Sequence, residues 1–118
     1  MQSSEIHDRL VEILPAFRDY WDSPENYFRE DDGSFTECGV FAECSHYVRD
    51  FFDSFAIRQI EALARFISQC MESEPESTLA DAAATCFLEN LARESFSHRL
   101  TEHLSGEALS YYRGLHAA

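Results

Sequence analysis

The sequence predicts an all-α protein: a single-domain antiparallel bundle, residues 1–118, of about six to seven helices around a buried central helix at residues 78–92. Three observations carry this. Apolar residues recur at intervals of three and four through Phe41, Cys44, Val48, Phe51 and Phe55, and again through Ile57, Ile60, Leu63, Ala64, Ile67 and Cys70. That is the period of a helix with one buried face. Residues 78–92 are apolar or small on nearly every side, with alanines that admit close neighbours and with Phe87, Leu88 and Leu91 as bulk. A helix that is hydrophobic all round is buried all round. Finally, 118 residues suffice for one core, and no linker is long enough to divide the chain.

Taken in order, Ile6, Leu10 and Ile13 mark a first helix, with Ser3 or Ser4 available as N-cap and an end near Leu14. Pro15 cannot extend that helix but suits the first turn of another, so residues 16–22 form a short second helix presenting Phe17, Tyr20 and Trp21. Residues 23–35 combine Pro24, Asn26 and Gly33 with a run of carboxylates and have no periodicity, which marks the longest loop. Its Tyr27 and Phe28 either tuck into the core or stand exposed as partner contacts. Ser34 and Glu37 have capping-box spacing and open the third helix, where Gly39 implies close packing of another backbone. A break near Asp53 and Ser54 leads into the fourth helix, and short connections make neighbours antiparallel. Residues 72–77 are a polar loop marked by Pro75, after which Ser77 or Thr78 caps the central helix. Phe96, Leu100 and His103 or Leu104 follow on one face, and a last helix opens at Ser105 and stops near Gly114.

The charge is uneven. The chain carries −13 with no lysine at all, and residues 19–81 hold fifteen acids against four arginines, so −11 of the total lies there. Such a field repels nucleic acid and anionic lipid and speeds encounters with basic partners; solubility alone is the plainer explanation. No apolar run approaches the length of a membrane span and the N-terminus is polar, so neither a span nor a signal peptide is expected. Cys38, Cys44, Cys70 and Cys86 sit among apolar neighbours without a CxxC pair. They are expected to be buried small hydrophobes in a reducing cytoplasm.

Catalytic signatures are sparse. Cys38, Cys44 and His46 are spaced so that a helix points them in different directions, which does not build a metal site, and no cofactor is expected. His98 and His103 lack the HExxH spacing, while His7 and His116 sit near the termini as surface residues. Cys86, buried, would be inert, and neither GxSxG nor a Gly-rich phosphate loop is present. Glu89 and Asn90 interrupt the apolar register of the central helix and need partners, with Arg58 or Arg65 as candidates. They either fix the helix or line a ligand pocket with the C-terminal histidines.

Residues 35–44 (FTECGVFAEC), 84–91 (ATCFLENL) and 104–113 (LSGEALSYYR) together resemble a group of small bacterial all-helical proteins of unassigned function. Members of that group are similar in size and style to immunity proteins of polymorphic or contact-dependent toxin systems. The resemblance implies a helical fold and carries no functional residues over. The expected function is therefore a non-enzymatic, acidic protein-binding module, most concretely an immunity protein that covers the basic surface of a cognate toxin of nuclease type. Tyr20, Trp21, Tyr27 and Phe28 are its expected aromatic anchors, with Glu30, Asp31, Asp32, Glu37, Asp50 and Asp53 supplying steering and charge pairing. A helical adaptor with no toxin partner, or a ligand-binding or enzymatic bundle, are the alternatives.

Overall fold

The computed structural model describes residues 1–72 and 77–116. The Pro-marked connection at 73–76 lies outside the described residues. The described chain folds into α1 (Ser3–Ile13), α2 (Phe17–Trp21), α3 (Glu37–Phe51) with a 3-10 turn at Phe52–Ser54, and α4 (Ile57–Glu72). Then come a central helix, α5, over residues 78–91, a short α6 (Ser97–Thr101) and α7 (Gly106–His116). There is no strand among the described residues. The radius of gyration, 13.4 Å, equals the ~13.5 Å expected of a compact chain of this length.

The core forms where the periodic faces meet. Ile6 and Leu10 of α1, Phe41 of α3, Ile60, Leu63, Phe66 and Ile67 of α4, Phe87 and Leu88 of α5 and Leu100 of α6 are all essentially inaccessible. Phe41 lies at the centre, its ring 6.3 Å from Phe87 and 6.5 Å from Phe66. Each such side chain stabilises the fold by about 1.5–3 kcal/mol through removal from water.

Several local expectations are corrected. Gln2, not serine, caps α1, its backbone N–H donating to Glu5 Oε1 at 3.2 Å. Thr36 rather than Ser34 caps α3, because its Oγ1 accepts the Gly39 N–H at 2.9 Å while Ser34 is held in a turn by Asp32. Gly39 is tightly packed as expected, although against side chains: an added Cβ would meet Thr36 Oγ1 at 3.1 Å and Phe28 Cβ at 3.2 Å. Ser77 caps α5 as expected, accepting from the Ala80 N–H at 3.1 Å. α7 runs through Gly114 to His116. The His7 ring is no surface group but packs between Trp21 (5.6 Å) and Phe35 (6.0 Å).

α5 is not buried all round. Thr78, Asp81, Thr85 and Glu89 form an exposed stripe at intervals of three and four, so the helix has one wet face. Its middle, Ala82–Leu88, is π-wound. There the Glu89 N–H reaches back to the Ala84 carbonyl, five residues away. Side chains brace this wide turn: Thr85 Oγ1 donates to the Asp81 carbonyl at 2.8 Å, and Asn90 Nδ2 to the Cys86 carbonyl at 2.7 Å.

The cysteines divide. Cys44 is a buried free thiol whose pKa is raised by desolvation, and Cys70 is buried. Cys38 and Cys86, by contrast, are joined in a disulfide with Cα atoms 5.4 Å apart. The reason is packing: the first turn of α3 lies against the π segment, and both residues sit on the outer edge of that contact. Expectation of four reduced, buried thiols is thereby overturned. A cytoplasmic location loses the support it drew from them, since such bonds persist in oxidising surroundings. No helix among the described residues is long and apolar enough to cross a membrane.

Candidate functional site

A groove of about 350 Å³ opens between the end of α2, the connection that follows it and the outer face of α3. Tyr20, Ser23, Glu25, Asn26, Tyr27, Phe28, Glu43 and His46 line it. The connection is pinned rather than free. Asn26 donates from Nδ2 to the Trp21 carbonyl at 2.8 Å, and its Oδ1 accepts the Phe28 N–H at 2.9 Å. Arg29 Nη2 donates to the carbonyls of Asp22 and Ser23, both at 3.1 Å. With Asn26 and Phe28 turned inward, Tyr27 between them is forced out and is 92 % exposed.

The α3 wall follows from helical spacing. Glu43 and His46 lie three apart and share a face, with His46 Nδ1 at 3.1 Å from Glu43 Oε1. Glu43 is nearly buried, its side chain 10 % exposed. The Phe28 ring lies 6.0 Å from that of His46. One turn further, Asp50 Oδ2 accepts from the Tyr20 hydroxyl at 3.2 Å. Burial, together with the negative charges of Asp50 and Glu43, pushes the Tyr20 phenol up to about 12. Beside it Phe51, 45 % exposed, extends the aromatic surface, its ring 6.2 Å from Tyr20.

Of the expected anchors, Tyr20, Tyr27, Phe28 and Asp50 are thus brought together. Trp21 is not among them: at 3 % exposure it belongs to the core, its ring 4.8 Å from Phe35. The α2 turn that presents Tyr20 outward points its neighbour inward. Glu37 is also removed, since its Oε1 accepts the Thr78 hydroxyl at 2.9 Å and so ties α3 to α5. Glu30, Asp31 and Asp32 are exposed in the turn around Gly33. Asp32 accepts both the N–H and the hydroxyl of Ser34, which hold its carboxyl below its ordinary value. The Asp53 side chain is fully exposed, 4.0 Å from Arg99 Nη1.

Glu25, Asn26, Glu43, His46 and Phe51 were missed as site residues. The legible signal was Glu43 and His46 at one-turn spacing on a helix that follows an aromatic loop. Eight of the ten carboxylates between Asp19 and Asp53 are exposed, and among the described residues only Asp50 and Asp53 of those meet an arginine. Most of the local negative charge is therefore unneutralised at the surface.

The second polar cluster is structural. Glu89 Oε2 accepts from the Tyr111 hydroxyl at 2.8 Å and Asn90 Nδ2 donates to Ser45 Oγ at 3.1 Å. These contacts join α5 to α7 and α3, and neither Arg58 nor Arg65 takes part.

Fold and groove together define a small acidic helical domain with an aromatic, carboxylate-lined surface site. The chain belongs to the domain family of unknown function DUF7674, whose profile matches residues 7–117. No curated protein and no solved structure matches it.

Proposed function

We propose that this protein is a stoichiometric, non-enzymatic binder of a basic protein, and that the partner is a bacterial toxin of nuclease type. One observation carries the proposal: Tyr27, 92 % exposed, stands over a groove whose charged walls, Glu25 and Glu43, form no ion pair with an arginine among the described residues. An exposed tyrosine beside carboxylates that no arginine pairs is the composition of an interface anchor with a steering field. A nuclease must keep a positive groove for its phosphate backbone, and a carboxylate-rich face is the surface that competes for it.

Co-expression with the open reading frame next to the gene tests this. Rescue of growth by the wild-type protein, and its failure with Tyr27→Ala, is the expected result. A neighbouring product that is harmless alone, or rescue that Tyr27→Ala leaves intact, contradicts it.

A further inference from the structure

We infer that the groove is a receptor for one arginine side chain of the partner, with the Glu43 carboxylate as its acceptor and the Tyr27 and Phe28 rings flanking the guanidinium and its stem. This rests on the binding function proposed above and specifies its chemistry. The groove's volume, about 350 Å³, is at the small end of the roughly 300–1,000 Å³ of ligand sites, which suits a side chain.

Glu43 is the informative residue. A carboxylate with its side chain 10 % exposed ordinarily has both oxygens engaged. Here Oε1 is met by His46 Nδ1 at 3.1 Å, and neither oxygen is paired with an arginine among the described residues. Arg29 donates through Nη2 to two carbonyls, its buried Nε finding no partner among the described residues, and Arg49 pairs with Asp50 at 3.1 Å. Glu25 adds a second negative charge at the rim. Arginine fits better than lysine because its planar cation stacks on aromatic faces while donating in plane to a carboxylate. Lysine offers a point charge that gains less from Tyr27 and Phe28.

Chemical-shift titration with three capped tripeptides, acetyl-Gly-Arg-Gly-amide and its lysine and citrulline counterparts, tests the inference. The arginine peptide is expected to shift residues 26–28 and 43–46 saturably. Citrulline keeps the shape without the charge and should bind at least ~10-fold more weakly, as should the arginine peptide to Glu43→Gln. Tyr27→Ala, whose side chain supports nothing in the fold, provides a second variant with the same expected loss. Equal binding of arginine and citrulline peptides overturns the inference. Shifts confined to residues 30–32 and 50–53, equal for arginine and lysine, overturn the arginine receptor and leave the basic-partner function standing. No shift with either charged peptide overturns both.

Discussion

Cys38, in the first turn of α3, is disulfide-bonded to Cys86 in the π-wound middle of α5, across 48 residues of sequence. The bond closes a loop that holds all of α4. It also backs the turn on which Phe28 rests, since Phe28 Cβ lies against Gly39, the residue after Cys38.

Closing a loop of that length is worth ~4 kcal/mol by chain entropy, within a usual range of about 2–5 kcal/mol. Reduction, or Cys38→Ser with Cys86→Ser, should lower unfolding stability by that amount. Thiol labelling under denaturing conditions checks the bond itself: reduction should add two labels. Four labels without reductant would show that it does not form.

Trp21 and Tyr27 should respond in opposite ways. Trp21→Ala empties a core site and should cost about 3–5 kcal/mol in chemical denaturation. Tyr27→Ala should stay within about 0.5 kcal/mol of wild type while weakening partner binding. The sequence did not separate the two, because both are aromatic residues beside charges. What divides them is the direction of one helical turn and the Asn26 side chain that pins the following loop.

The same limit explains what else was legible. Three-four periodicity located α3 and α4 because it depends only on which face is apolar. The wet stripe of Thr78, Asp81, Thr85 and Glu89 was obscured by the alanines around it, which are compatible with either face. The pairing of Cys38 with Cys86 depends on which helices touch, and neither spacing nor composition encodes that contact. Tyr20, Tyr27, Phe28 and Asp50, which the fold brings together, were singled out by composition and loop signals. Glu43 carried no expectation, since only the fold brings Tyr20 and the 23–28 connection into the groove that it lines.

Gly33 and Gly106 both have positive φ, +86° and +56°, but they should tolerate alanine differently. A Cβ at Gly33 meets nothing, so Gly33→Ala should cost only the backbone penalty of about 1 kcal/mol. A Cβ at Gly106 overlaps the Glu72 carboxylate, whose Oε1 accepts the Glu107 N–H at 2.8 Å. Gly106→Ala should therefore lose that cap as well and cost ~2–3 kcal/mol. Equal stability of the two variants would exclude the Glu72 cap.

Alkaline stability should follow two phenols. Tyr20 is raised to about 12 by burial and by Asp50 and Glu43, and Tyr111 to about 12 by burial and its hydrogen bond to Glu89. Below pH 10, the ordinary phenol value, both states are protonated and stability is complete. Between 10 and 12 the unfolded chain loses protons that the folded one keeps, so stability falls with rising pH. Tyr47, raised by burial, acts in the same direction. Denaturation midpoints of Tyr20→Phe with Tyr111→Phe should decline less steeply over this interval; an unchanged slope would refute the shifts.

Carboxylate steering of a basic partner is most directly tested by the association rate with the product of the neighbouring open reading frame, measured across ionic strength. The on-rate should fall steeply as salt rises, and Asp31→Arg with Asp32→Arg should slow it and flatten its salt dependence. An on-rate indifferent to salt and to both reversals would contradict an acidic face built to attract a positive protein.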